Sequence, residues 1–295
     1  MNKRYNIAVL WAILAATLYS FSSPISKLLL KEIPPTMMAA FLYLGAGIGM
    51  SIVGIFSHKR NNAKRELSLT KKQLPFIIAM IGLDILAPIF LMIGLNMTTP
   101  ENASLLNNFE IVATSLIALI IFKEVINKRL WLAIILITIS SIILSIEDVS
   151  SFSFSIGSIF ILLACVCWGF ENNCTRKLSE KDPLQIVVLK GFGSGAGSLI
   201  IALIIGESIG NVWYVFYALI LGFFAYGLSI FFYVHAQREL GAAKTSAYYA
   251  VAPFIGVGLS LIIFRQPPKI TFILALPIMI LGTYFTTTDN KSNNT

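Results

Sequence analysis

The chain has 295 residues, 57% of them hydrophobic and only 12% charged, with a formal net charge of +8 and a mean hydropathy of +0.81. So little charge cannot cover the surface of a water-soluble domain of this size, so a soluble protein is excluded. The basic residues lie in the breaks between long apolar blocks, which points to a lipid bilayer and away from nucleic acid as the partner.

Each block contains a run near the ~20 residues that cross a hydrocarbon core ~30 Å thick. In chain order they predict ten membrane-spanning helices, at 6–29, 35–56, 74–95, 102–122, 130–146, 154–174, 185–205, 213–235, 243–264 and 270–287, and so an all-α integral membrane protein. The run after Lys3-Arg4 is too long for a signal peptide and reads as a retained first span. The longest break, SHKRNNAKRELSLTKKQ at 57–73, holds six Lys or Arg and should be cytoplasmic. Both termini then fall on the cytoplasmic side of the plasma (inner) membrane. Seventeen Lys or Arg collect on that side, against Lys27, Lys31, Arg265 and Lys269 on the other.

The first span carries Tyr19, Ser22, Ser23 and Ser26 on one face, with Pro24 nearby to break the helix. In the third, Asp84 lies twelve residues past Lys72, roughly 18 Å along a helix. Pro88 cannot donate to the Asp84 carbonyl, so a kink is expected there. A carboxylate beside a free carbonyl suits a proton or a cation; equally, it can satisfy a neighbouring helix. In the fourth, Glu110 lies nine residues past Glu101, about 13 Å down and near the bilayer centre. Asn107, Glu110 and Thr114 share its stripe. An acid at that depth marks a solute or ion pathway; the simpler alternative is a hydrogen-bonded clamp between helices.

The sixth span puts Trp168, Glu171, Asn172 and Thr175 on one face, too polar to meet lipid and so expected to face the bundle interior. Cys165, Cys167 and Cys174 lie in the same block without the other ligands of a zinc site and read as small packing residues. In the seventh, Lys190 is expected to pair with Glu171 or to snorkel to water. Gly191, Gly193, Gly195 and Gly197 form two overlapping GxxxG pairs, which predict close helix packing. The eighth span offers Tyr226, Ser229 and Tyr233 on a stripe, and the ninth opens with Tyr248 and Tyr249. These aromatics are either packing or, opposite the deep acids, a cation-binding wall.

Two internal matches follow. IALIIFKEV at 117–125 pairs with LSLIIFRQP at 259–267, an offset of 142, and LYSFSSPISKLL at 18–29 pairs with CWGFENNCTRKL at 167–178, an offset of 149. The long basic loop accounts for the difference. The chain thus reads as two five-span units, 6–146 and 154–287. A second copy of an odd-numbered unit must enter the membrane from the opposite side, so the units are inverted, as in carriers that alternate access around a midplane site.

With these matches the chain resembles the drug/metabolite transporter superfamily, EamA type. The resemblance implies a secondary transporter of small organic solutes, often exported metabolites or amino acids. Of the family's acidic step after the fourth and ninth spans, Glu124 fits the first and Gln266 replaces the second. Of its mid-span prolines, Pro253 is present, whereas Glu110-Ile111 stands in the fourth span.

No GxxxxGK[ST] or HExxH motif occurs, so neither direct ATP drive nor a zinc hydrolase is expected, and no cofactor. A channel or a membrane-embedded enzyme are the competing classes. The expectation is a transporter, not an enzyme. It would export amino acids, other amine-bearing solutes or drugs by proton-coupled or exchange transport, as a monomer or homodimer. Its candidate substrate- or proton-binding residues are Tyr19, Asp84, Asn107, Glu110, Trp168, Glu171, Asn172, Tyr226, Tyr233 and Tyr249. The motive for an amine is the excess of deep acids over the single base Lys190.

Overall fold

The computed structural model describes residues 3–60, 67–123, 128–148, 153–240, 245 and 248–288. Glu124 lies outside the described residues. The helices are α1 (Lys3–Ser20), α2 (Ser22–Leu29), α3 (Pro35–Arg60), α4 (Leu74–Met97), α5 (Pro100–Leu106), α6 (Phe109–Phe122), α7 (Lys128–Ser145), α8 (Ile156–Leu178), α9 (Pro183–Ile204), α10 (Val212–Gly222), α11 (Ser229–Leu240), α12 (Ala252–Phe264) and α13 (Ile270–Thr288). A π-helical segment, Phe223–Leu228, joins α10 to α11 without a break. The all-α expectation needs one amendment. Between α7 and α8, β1 (Ile146–Asp148) pairs antiparallel with β2 (Ser153–Phe154).

Among the described residues eight helical stretches are long and apolar enough to cross a bilayer, counting as one each α1 with α2, α5 with α6, and α10 with the π segment and α11; Ala252–Phe264 and Ile270–Phe285 are apolar but shorter. The outward faces carry Leu10, Ile55, Ile120, Ile204 and Ile262, each more than half exposed, whereas Ser23, Asn108, Ser140 and Ser194 are buried. This inversion of the usual soluble pattern is what a lipid solvent selects.

Helix ends follow local chemistry. Thr99, Ser155, Asp182 and Asn211 each accept a backbone N–H at the start of α5, α8, α9 and α10. Lys123 and Arg265 end α6 and α12 in the left-handed conformation, with φ of 54° and 51°. They are the matched residues of the two LIIF stretches and, among the described residues, the non-glycine ones with positive φ.

Three expected spans, 6–29, 102–122 and 243–264, are not single helices. The 6–29 span is interrupted at Phe21, and the 102–122 span at Asn107–Asn108, where α5 gives way to α6. The stripe drawn through Asn107, Glu110 and Thr114 on one continuous helix is therefore corrected: Asn107 sits at the break and Glu110 in the first turn of α6. A further turn at Ala250–Val251 precedes α12, which has Pro253 in its first turn. By contrast α4 runs through Pro88 uninterrupted.

The closest packing is α3 on α9, α4 on α8, α7 on α13 and α1 on α11. Glycine makes the first of these possible. A Cβ at Gly191 would lie 2.3 Å from the Gly47 nitrogen and 2.4 Å from its Cα, so α9 meets α3 backbone to backbone, as the GxxxG pattern predicts. Gly193 and Gly197 instead receive the side chains of Ile81 and Ile85 from α4.

Candidate functional site

Each break or bulge delivers a polar or aromatic side chain to the same interior region. Tyr19 precedes the Phe21 break, Glu110 follows the Asn107–Asn108 turn, Tyr226 lies in the π segment and Tyr249 precedes the Ala250–Val251 turn. Together with Tyr43, Trp168, Glu171, Asn172, Thr175, Lys190, Ile230 and Tyr233 they enclose a cavity of about 60 Å³. A smaller hollow of about 30 Å³ continues from it past Asn107, Asn108, Thr114 and Pro253. A third, of about 10 Å³, lies against Ser20, Ser23, Ser104 and Gly256.

The walls are aromatic. The Tyr19 ring stands 6.4 Å from Trp168, 5.8 Å from Tyr226 and 5.8 Å from Tyr249, centroid to centroid. Tyr233 stacks edge-on with Tyr249 at 5.0 Å, and Tyr43 lies 5.2 Å from Tyr226. The faces of such rings are electron-rich and attract cations. Ser22 donates to the Tyr226 hydroxyl at 3.1 Å.

Glu110 is half-buried and faces this cavity; its Oε1 accepts from Asn172 Nδ2 at 2.6 Å. The partners meet because Gly169 lets α8 press on α6. A Cβ there would lie 2.7 Å from Ala113 Cβ and 2.9 Å from the Thr114 nitrogen. Three residues on, Asn172 points across to Glu110 and Thr114.

The second cluster is ionic. Lys190 Nζ donates to Glu171 Oε1 at 2.8 Å and stands 3.1 Å from Asp84 Oδ2. The Asp84 contact is an ion pair without an aligned hydrogen bond. Tyr43 donates to Asp84 Oδ1 at 2.9 Å, and Thr175 donates to Glu171 Oε1. All three charged side chains are at most 5% exposed. The expected Glu171–Lys190 pair is present, and Asp84 extends it to a triad. The alternative of a snorkelling Lys190 is corrected: the close α3–α9 contact turns the residue beside Gly191 inward, towards α4 and α8.

Of the ten expected site residues, Tyr19, Glu110, Trp168, Glu171, Asn172, Tyr226, Tyr233 and Tyr249 line the cavity. Asn107 lines the adjoining hollows, and Asp84 lies behind Lys190. Tyr43, Thr175, Ile230 and Lys190 were not on that list and line it too. Tyr43 carried a readable signal, being the lone phenol in the small-residue helix α3. Tyr248 points elsewhere, its hydroxyl 3.2 Å from that of Tyr5. At the other end of the bundle Lys27 grips the carbonyls of Leu95, Asn96 and Thr98 at 2.7, 3.0 and 2.7 Å. A hollow of about 190 Å³ beside it is lined by Glu101, Asn102 and Lys269.

Among the described residues no group of three or more His, Cys, Asp or Glu is placed to hold a metal ion.

Comparison with known proteins gives the context. The chain matches the EamA-like transporter family over residues 6–146 and 155–288. It is 27% identical over 290 residues to an uncharacterized transporter of Methanothermobacter thermautotrophicus, covering 92% of this chain and 84% of that one. To the uncharacterized transporter YyaM of Bacillus subtilis it is 24% identical over 258 residues, covering 84% and 83%. A solved crystal structure shares the fold with a TM-score of 0.69 at 15% identity over 98% of both chains. Helices suited to a bilayer, an interior polar cavity and a family match across nearly the whole chain agree: the protein is a membrane transporter of the EamA-like family.

Proposed function

We propose that the chain is a ten-span carrier, two inverted five-helix units at 6–146 and 154–287, that exports small organic solutes bearing a protonated amine, amino acids among them. The family matches the chain twice, over two stretches of similar length. The left-handed helix ends at Lys123 and Arg265 fall at equivalent positions of the two LIIF stretches. The turn at Asn107–Asn108 and that at Ala250–Val251 lie close to the same offset of 142. These agreements support two copies of one unit, and an odd span count per copy inverts the second.

The observation that carries the substrate class is Glu110, a carboxylate facing an aromatic-walled cavity with Asn172 as its hydrogen-bond donor. An ammonium placed there gains a charge-assisted hydrogen bond and ring faces around it. Buried Asn107 Oδ1 and the Asn108 side chain, without partners among the described residues, offer polar contacts to the rest of the solute. In this reading drive comes from protons or from exchange, and the basic loop and both termini face the cytoplasm of a plasma membrane.

The packing supports an arrangement open towards that side. α5 packs on α2 and α12, whereas the principal neighbours of α6 are α7 and α8. Thermal-shift screening of the purified protein against primary amines and amino acids, followed by counterflow in proteoliposomes, tests the proposal. Unlabelled hit inside the vesicle should accelerate entry of labelled hit, and Glu110→Gln should abolish this while the protein stays folded. Absence of trans-stimulation by every amine and amino acid in the screen would overturn it.

A further inference from the structure

The cavity lining and the cluster behind it hold three carboxylates and one ammonium, and they fall into two groups with different surroundings. Glu110 is half-buried, faces the cavity and takes a short hydrogen bond from an amide. Its setting suits an anion that meets a solute. Asp84 and Glu171 are buried to within 5% of fully, with Lys190 between them at 3.1 and 2.8 Å. Two carboxylates against one ammonium leave one uncompensated negative charge on side chains that are almost wholly buried. Low-dielectric surroundings make that charge costly, and Glu110 in the same cavity adds repulsion.

The polar neighbours do not remove the charge. Tyr43 and Thr175 donate hydrogen bonds but carry no positive charge. Among the described residues, the other titratable groups placed near the three are Tyr43 of α3, Tyr226 of the π segment, Glu110 of α6, and Cys167 and Cys174 of α8. None of these is a base. A proton is the simplest compensating cation. Asp84 Oδ2, with no aligned hydrogen bond, has a free lone pair for it. Glu171 and Lys190 line the cavity, so such a proton has a route to water.

We propose that Asp84 and Glu171, on either side of Lys190, hold one exchangeable proton between them, and that this pair carries the proton that couples transport while Glu110 takes the amine. The first half stands on geometry alone; the second rests on the carrier function proposed above. The chemistry is one O–H bond formed on a carboxylate oxygen and returned to cavity water. Binding of a solute ammonium at Glu110 changes the field at the pair, which ties the two occupancies together.

The first half predicts a count: protons held equal carboxylates minus lysines. pH-difference infrared spectroscopy of the protein in lipid nanodiscs reads protonated carboxyl groups with no solute present. The Glu110→Gln background removes the third acid. There one protonated-carboxyl band should titrate. Asp84→Asn or Glu171→Gln should abolish it, because the remaining acid pairs one-to-one with Lys190. Lys190→Met should double it, and Asp84→Asn/Lys190→Met, which also serves if Asp84→Asn alone fails to fold, should restore a single band. A band that survives both carboxyl substitutions, or none in the background protein, overturns the proposal.

The second half is read in proteoliposomes with phenethylamine as the probe. An imposed proton gradient should drive its accumulation by the unmodified protein and not by Glu171→Gln. Gradient-driven accumulation by Glu171→Gln would overturn the coupling assignment and leave the carrier standing. Failure of counterflow in the unmodified protein would count against the carrier reading, with the infrared count still deciding the proton site.

Discussion

Glu110 and Lys190 set the electrostatics of the interior, and their substitutions should fail in different ways. Glu110 faces the cavity with one amide partner, so its neutral isostere should fold normally and lose solute binding. Glu110→Asp, which keeps the charge but shortens the reach, should retain binding with weakened affinity; titration by calorimetry separates the two. Lys190 bridges two buried acids. Lys190→Ala should therefore lower stability by about 3–5 kcal/mol, the usual cost of breaking a buried ion pair by removing one partner, seen as an early melt in detergent. Among the rings, Tyr19 touches Trp168, Tyr226 and Tyr249. Tyr19→Leu should weaken amine binding by roughly 0.5–2 kcal/mol, the range for a cation–ring contact.

The helices around the cavity are positioned by small residues and by interruptions. Gly169 sits against the backbone of α6, so Gly169→Leu must push α8 away and separate Asn172 from Glu110. Overpacking of this kind costs about 1–3 kcal/mol, and a lowered melting temperature with loss of solute binding is the expected outcome. Glycine-rich close packing in α9 was legible in the sequence because GxxxG spacing has one mechanical meaning in a membrane helix. The break at Asn107–Asn108 was not, because asparagine allows a turn without enforcing one. Pro88 illustrates the converse: it removes a hydrogen-bond donor, yet α4 continues through it.

At the scale of the whole molecule, a carrier must open and close each end of the bundle in turn. α5 packs on α12 beside the cavity. A Cβ at Gly256 would lie 2.9 Å from Ser104 Oγ and 3.3 Å from its Cβ. The separation is near that of a disulfide, so Ser104→Cys/Gly256→Cys should cross-link on oxidation. Transport should then stop, binding should persist, and a reductant should restore transport. Recovery of full transport in the oxidised protein would show that this contact never opens.

By itself the sequence determined the solvent and the family. Hydropathy, charge in the breaks and residue count along a helix are additive along the chain, so they need no knowledge of neighbours. It also placed Trp168, Glu171 and Asn172 on one inward face, since polar atoms avoid lipid. Only the tertiary structure decided that Lys190 bridges both Asp84 and Glu171, that Tyr43 donates to Asp84, and that Glu110 meets Asn172. Those contacts depend on how α3, α4, α6, α8 and α9 cross. Crossing is set by backbone-to-backbone approach at a few glycines, a property of helix pairs that no single stretch of sequence encodes.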